Sequence, residues 1–179
     1  MHRFFPIAFV AALTAAAPLD AQQTMVPPAS PTIGASGGLG GGIALPVGRL
    51  SDTHAPGYSF NGLVDFSAAD QPYSFRLELT YQRYDVRSTA PAGTRNMKLA
   101  SLGGSLMARR ARGAASSFLL GGIAVYHVTD SGAKPGVNLG AGLEVPLTFF
   151  IGIADVRVHY VLNEKNSLVT IPITLGARF

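Results

Sequence analysis

Eight ionisable residues have the types and spacing in this sequence that best suit chemistry. Four are acids, three are arginines and one is a histidine, so their charges nearly balance. Each alternates with its neighbours at a period of two, which places it on the polar face of a strand. The residues are Asp65, Arg76, Glu78, Glu144, Asp155, Arg157, His159 and Arg178. Charges held away from water are costly unless they are paired, so the sequence predicts an ionic network.

Three other features could bind ligands. Arg109, Arg110 and Arg112 crowd one predicted turn, where they could hold phosphate groups or simply form a solvated basic turn. The glycine-rich segment 37–42 lacks the Lys-Ser/Thr pair and the following helix of a phosphate-binding loop. His54 has no partner at metal-ligand spacing, and the 4 His residues are spread along the chain. We therefore expect no cofactor and no metal.

Eight segments with a period of two must position these side chains. In the third, residues 73–82, large apolar side chains alternate with polar ones, and a helix would scatter both sets around its circumference. The segments are about 33–45, 58–67, 73–82, 96–108, 117–128, 137–147, 154–162 and 169–179. Each is about as long as a tilted strand that crosses a bilayer. Successive hairpins predict an up-and-down barrel, with the register of the fourth and fifth segments left open.

The composition favours a membrane barrel. Charged residues make up 13% of the 179-residue chain, about half of the ~25% usual for a soluble domain. Outside its N-terminus the chain has no apolar run of the ~18 residues that a spanning helix needs. Without Cys, a disulfide scaffold and a thiolate metal site are excluded. The net charge of +4 comes from scattered basic residues, which argues against nucleic acid as a partner.

The N-terminus predicts two segments that precede the barrel. Residues 1–21 have the features of a secretory signal peptide, with a short basic start, an apolar core and a candidate cleavage site before Gln22. Leu19 is larger than the residue preferred at that site, so cleavage a few residues earlier is an alternative. Residues 22–31 contain three Pro and predict a periplasmic linker. Residues 32–179 then form the predicted barrel.

The last predicted strand connects this pattern to a known family. Its apolar face comprises Val169, Ile171, Ile173, Leu175, Ala177 and Phe179. A strand that ends in this way on an aromatic residue resembles the closing strand of bacterial outer-membrane β-barrels. Residues 32–179 as a whole resemble the small eight-stranded family that includes OmpA-type and OmpX-type proteins.

This resemblance implies an all-β fold, an eight-stranded antiparallel up-and-down transmembrane β-barrel. It implies a location in the bacterial outer membrane, lipid as a partner and a monomeric state. It also implies that Phe179 is a C-terminal assembly signal, recognised by the barrel assembly machinery.

The connections and the aromatic residues support an orientation. Loops after odd-numbered strands are mostly longer than the turns after even-numbered strands, as in outer-membrane barrels whose long loops are external. Aromatic residues are expected in two girdles, with Phe118 near the periplasmic rim and Tyr126 nearer the outer rim. A soluble periplasmic barrel with the apolar face lining a ligand-binding lumen is the alternative arrangement.

If the apolar face meets lipid, the eight ionisable residues point into a lumen that side chains can fill. We then expect a non-enzymatic protein with a structural or surface-interaction role. A narrow porin-like conduit for small solutes is an alternative. A lipid-modifying enzyme is another, because His127 and Thr129 resemble the His-x-Ser of outer-membrane lipid A deacylases, with Glu144 as a poor third member. Otherwise His127 is a rim or interior polar residue.

Overall fold

The computed structural model describes residues 33–68, 71–112, 114–129, 131–162 and 167–179. The predicted signal peptide, residues 1–21, and the predicted linker, residues 22–31, lie outside the described residues. The elements are β1 (Ile33–Val47), α1 (Arg49–Thr53), β2 (Gly57–Ala68), β3 (Tyr73–Tyr84), β4 (Met97–Arg112), β5 (Ala115–Val128), β6 (Gly132–Pro146), β7 (Ile151–Val161) and β8 (Leu168–Arg178).

The eight strands form one closed antiparallel barrel. Each strand pairs with the next along the chain, and β8 pairs with β1 to close the ring. At this seam Gly38 lies opposite Arg178 and Val47 lies opposite Val169. The backbone N–H of Phe179 donates a hydrogen bond of 2.8 Å to the carbonyl oxygen of Gly37, which extends the seam by one residue. The predicted eight-stranded up-and-down barrel is confirmed.

Every strand has exposed apolar side chains on its outward face. Leu39 on β1 is 71% exposed, Ile123 on β5 is 72% exposed and Leu175 on β8 is 70% exposed. A band of exposed aliphatic side chains around a closed barrel is the arrangement that faces lipid. This direction does not fit the soluble alternative, which needs the same face inside. None of the described residues forms a helix long and apolar enough to span a membrane.

The barrel has two different ends. We call the terminal end the one that holds the start of β1 and the end of β8, and the loop end the opposite one. Connections at the terminal end are residues 69–72, 113–114 and 147–150. The loop end has the connections 48–56, 85–96, 129–131 and 162–167, and all but 129–131 are longer than those of the terminal end. The first of these longer loops contains α1. The predicted difference between short turns and mostly longer loops is therefore present.

Two hairpins are tighter than the sequence indicated. β4 continues to Arg112, which pairs with Ala115, so the predicted basic turn 109–115 shrinks to residues 113–114. β6 begins at Gly132 rather than near Val137. Gly132 has a φ of 72°, a left-handed conformation that glycine adopts without steric cost and that permits the abrupt reversal.

The register of β5 corrects the predicted girdles. Phe118 is 2% exposed and Tyr126 is 0% exposed, so both aromatic rings lie inside the barrel. Because β5 is apolar on both faces, alternation could not indicate which set points inward. The guanidinium of Arg76 lies over the face of the Phe118 ring, with its Cζ 5.5 Å from the ring centroid.

Apolar side chains also close the loop end from within. They form a buried cluster, here called the loop-end stopper, to which α1 contributes Leu50. Its members are Ala44, Leu50, Tyr84, Met97, Leu99, Tyr126, Val128 and Val161. The lumen between this stopper and the terminal end holds the polar side chains.

Candidate functional site

The pairing of β2 and β3 creates the first ion pair of the lumen. Asp65 and Arg76 lie directly opposite each other in the register of these strands, both on the inward face. Arg76 Nε donates to Asp65 Oδ1 at 2.7 Å and Arg76 Nη2 donates to Asp65 Oδ2 at 2.8 Å. Their side chains are 0% and 1% exposed. This bidentate geometry is the strong form of an arginine–carboxylate pair.

Three more charged residues join this pair to form what we call the lower cluster: Asp65, Arg76, Arg109, Glu144 and Arg178. Arg178 Nη1 lies 2.6 Å from Asp65 Oδ2 and 3.0 Å from Glu144 Oε1. Arg109 bridges the same two acids, with Nη2 at 3.1 Å from Asp65 Oδ2 and Nε at 3.0 Å from Glu144 Oε2. Residues from five strands, β2, β3, β4, β6 and β8, are thus linked across the lumen.

Arg109 lies in the lumen rather than in the predicted turn. We expected Arg109 in a periplasmic turn with Arg110 and Arg112, but its side chain points inward and also donates to Ser74 Oγ. The alternation of β4 contained the signal, because Leu106 and Ala108 face outward and the next residue must face inward. The charge of Arg109 suggested a solvated turn. Its side chain instead lies in the lumen because buried acids of other strands pair with it there.

A second group, the central cluster, consists of Glu78, Asp155 and Arg157. Arg157 Nη1 bonds Glu78 Oε1, and Arg157 Nη2 lies 3.0 Å from Asp155 Oδ2. Neighbouring neutral side chains donate further hydrogen bonds to these carboxylates. Thr80 Oγ1 donates to Glu78 at 3.0 Å and Thr174 Oγ1 donates to Asp155 at 3.0 Å. Asn61 Nδ2 also donates to Glu78, at 3.1 Å.

The charges of the two clusters compensate each other. The lower cluster holds three arginines and two carboxylates, and the central cluster holds one arginine and two carboxylates. The excess positive charge of one therefore cancels the excess negative charge of the other. Arg76 and Glu78, two residues apart on one face of β3, connect the two levels. Removal of a single member would leave an uncompensated charge in the lumen.

His159 lies inside the barrel without joining either cluster. It is 3% exposed, and neither ring nitrogen has a hydrogen-bond partner among the described residues. Its ring stands edge-on to Tyr126, with 5.6 Å between the centroids. The two cavities that adjoin His159 measure about 10 Å³ each, roughly the space of one water. Side chains therefore nearly fill the lumen at this level.

The residues of the enzyme alternative do not come together. His127 is exposed on the outer wall near the loop end, whereas Glu144 points into the lumen near the terminal end and binds Arg109 and Arg178. Thr129 Oγ1 accepts a hydrogen bond from the backbone N–H of Lys98 at 3.1 Å and donates to the carbonyl oxygen of Lys98 at 3.2 Å. The Thr129 hydroxyl therefore has a structural role in the β4–β5 pairing.

His54 also has local partners rather than a ligand-binding arrangement. Its Nδ1 lies 2.8 Å from Thr53 Oγ1 and its Nε2 lies 3.1 Å from the carbonyl oxygen of Arg95. These contacts attach the helix-bearing loop to the loop between β3 and β4. Within the part of the chain that the structure describes, no group of three His, Asp or Glu residues could hold a metal ion.

A closed eight-stranded barrel with an apolar wall and a paired polar interior defines the class of small transmembrane β-barrels. Comparison with solved structures agrees. The crystal structure of Neisserial surface protein A is similar with a TM-score of 0.64 and 18% identity, over 82% of this chain and 97% of that chain. The Yersinia pestis outer membrane protein Ail, solved in a phospholipid bilayer nanodisc, gives a TM-score of 0.50 and 17% identity, over 82% of this chain and 99% of that chain.

At these identities the likeness concerns the fold. No protein-family model matches the sequence, and no curated protein matches it.

Proposed function

We propose that this protein is an integral, non-enzymatic component of the bacterial outer membrane, with a closed lumen and a structural or surface-interaction role. The observation that carries the proposal is the charge-compensated network enclosed by a continuous apolar wall. An outer face of exposed aliphatic side chains requires lipid, and the paired lumen provides cross-links between strands rather than a passage. The similarity to solved surface and outer-membrane barrels supports a location in the outer membrane.

Three successive layers support a closed lumen over a conduit. The loop-end stopper blocks one end with apolar side chains, including Leu50 from α1. Below it, Arg157 links β7 to β3 through Glu78 and also contacts Asp155 on its own strand, and then the lower cluster links five strands. An eight-stranded barrel is just wide enough for its own side chains, so these layers leave little free cross-section.

The loop end favours contacts with anionic groups. Among the described residues of this end, basic side chains outnumber acidic ones. The basic residues are Arg49, Arg83, Arg87, Arg95, Lys98 and Lys134, and the acidic residues are Asp52 and Asp85. With this end outside the cell, such a rim would lie beside the phosphate groups of outer-leaflet lipids, which are the partners that we propose.

Phe179 is our proposed contact for the barrel assembly machinery. Its side chain is 73% exposed at the terminal end, and its ring centroid is 6.0 Å from that of Phe150. An exposed ring beside the β1–β8 seam is accessible before the barrel closes. We expect Phe179→Ala to lower the amount of folded protein in the outer membrane severalfold, measured by quantitative immunoblotting, while Phe149→Ala, which removes another exposed ring of the same end, has little effect.

Conductance in planar bilayers tests the closed lumen. We expect the refolded protein to give no discrete current steps, because the stopper and both clusters obstruct the lumen. The double variant Glu78→Ser/Arg157→Ser removes the central ion pair but keeps the stopper and the lower cluster, so it should also give no current steps. Regular current steps from the unmodified protein would contradict the closed lumen and favour the conduit.

A further inference from the structure

The outer wall has a groove near the terminal end. Its volume is about 750 Å³, within the range of small-molecule sites. The groove lies where alanines interrupt the wall of large side chains. Ala141 pairs with Leu119 on β5, and Ala154 lies between Leu143 on β6 and Leu175 on β8. Small side chains flanked by larger ones on both adjacent strands create a depression in an otherwise convex surface.

Arg109, Arg110 and Asp155 line the groove, but only Arg110 has its side chain on the outer wall, because Arg109 and Asp155 form ion pairs in the lumen. Arg110 is exposed on the outer wall and pairs with Ser117, which also lines the groove. The acids that neutralise its neighbour Arg109 lie on the other side of the wall. Arg110 forms no ion pair with any residue in the described ranges. A charged residue on a lipid face is costly except near the membrane interface, so Arg110 belongs at head-group height.

We propose that this groove binds one anionic glycerophospholipid of the inner leaflet. One acyl chain would lie against Ala141 and Ala154, and the phosphate would contact the guanidinium of Arg110. Charge complementarity argues for this occupant, because the only charged group lining the outer side of the groove is a cation near the head groups, among the residues that the structure describes. The proposal rests on the proposed insertion in the outer membrane with the terminal end in the periplasm.

A second copy of the chain fits the groove less well. Two copies inserted in the same direction and related by a two-fold axis would meet through the same surface patch. Their Arg110 side chains would then lie at one height beside the shared interface, where like charges repel. A phospholipid brings the opposite charge to the same height.

Native mass spectrometry of the full mature chain in detergent tests the site. Dioleoyl-phosphatidylglycerol and dioleoyl-phosphatidylcholine are added separately, so that the acyl chains are the same and only the head-group charge differs. We expect one phosphatidylglycerol molecule to bind more tightly than phosphatidylcholine. Arg110→Gln should weaken phosphatidylglycerol binding about fivefold, the effect of one basic residue near a membrane surface. Ala141→Leu, which fills the groove, should weaken binding of both lipids.

A variant on another part of the wall serves as a matched control. Ala35→Leu enlarges an exposed alanine on β1. It should not change phosphatidylglycerol binding. Equal binding of both lipids, or an unchanged affinity in Arg110→Gln, would overturn the proposal. A dimer that Ala141→Leu dissociates would assign the groove to a second copy instead. Failure of the protein to insert into bilayers would refute the proposed location, whereas an inserted protein without a lipid preference refutes only this site.

Discussion

Arg109 and Arg110 are neighbours in the chain but lie on opposite sides of the barrel wall. The side chain of Arg109 contacts Asp65 and Glu144 in the lumen, and that of Arg110 borders a groove on the outer surface. A strand reverses the direction of its side chains at each residue, so one step along the chain separates two environments. The same basic sequence therefore contributes to the lumen on one side and to the outer groove on the other.

Arg157 should be the most sensitive arginine of the lumen. Its removal leaves Glu78 and Asp155 without an arginine in the central cluster, and stranding a buried charge costs about 3–5 kcal/mol. We expect Arg157→Ala to lower the free energy of unfolding by about that amount. The measurement is urea unfolding of the protein in lipid vesicles, followed by the fraction of folded protein on gels.

Two other arginines provide controls for this prediction. Arg109→Ala leaves two arginines for the two acids of the lower cluster, so its cost should be smaller than that of Arg157→Ala. Arg83 pairs with Asp85 at 3.4 Å, but both side chains are largely exposed, and such pairs contribute ~0–1 kcal/mol. An unfolding midpoint of Arg157→Ala equal to that of Arg83→Ala would show that the central cluster does not stabilise the barrel.

Alternation indicated which side chains share a strand face, but not which of them form ion pairs. Asp65, Arg76, Glu78 and Asp155 alternate with apolar neighbours, so their direction followed from the sequence. Their partners depend on the strand register and on the lumen width, which no local pattern encodes. His159 illustrates the limit, since it shares the inward face with Arg157 and yet packs against Tyr126 instead of a carboxylate.

At the scale of the strand, most predicted ends lie within two residues of the observed ones, and the exceptions are the end of β4 and the starts of β6 and β7. The strands with one polar face, such as β3 and β7, were recognised with the correct direction. β4 exceeded its predicted end because its last residues are charged, and charge was taken as a sign of solvent. The strand continues because β4 remains paired with β5 and because acids in the lumen compensate the charge of Arg109. β5, apolar on both faces, had no internal marker of its register.

Two glycines of β1 allow a test of the packing between β1 and β8. A Cβ on Gly42 would overlap the backbone carbonyl of Ile173 on β8, whereas a Cβ on Gly37 would lie 4.0 Å from its nearest neighbour, the carbonyl oxygen of Leu63. Overpacking costs about 1–3 kcal/mol. We therefore expect Gly42→Ala to destabilise the barrel by about this amount and Gly37→Ala to have little effect, in the same unfolding assay.

Equal stability of these two variants would contradict the close approach of β1 and β8. A loss in Gly37→Ala alone would indicate that the register of the seam differs by one residue, because a shift of one residue exchanges the inward and outward faces. The pair of variants therefore tests both the packing and the register of the closing strands.

At the scale of the whole molecule, the barrel is organised as an apolar wall around a neutral polar column. The wall requires lipid, and the column links opposite strands through arginines that contact acids on two or more strands. Composition and alternation predicted this general arrangement, because few charges were available for an outer surface. The distribution of charge between the lower and central clusters required the three-dimensional structure.

We propose that this chain inserts into the outer membrane as a closed barrel. Electrophoretic mobility of the protein from the outer-membrane fraction, with and without boiling in detergent, tests this proposal most directly. We predict recovery in that fraction and a heat-dependent shift in mobility, because a closed barrel resists detergent until it is boiled. Recovery only in the soluble periplasmic fraction, with the same mobility before and after boiling, would contradict the proposal.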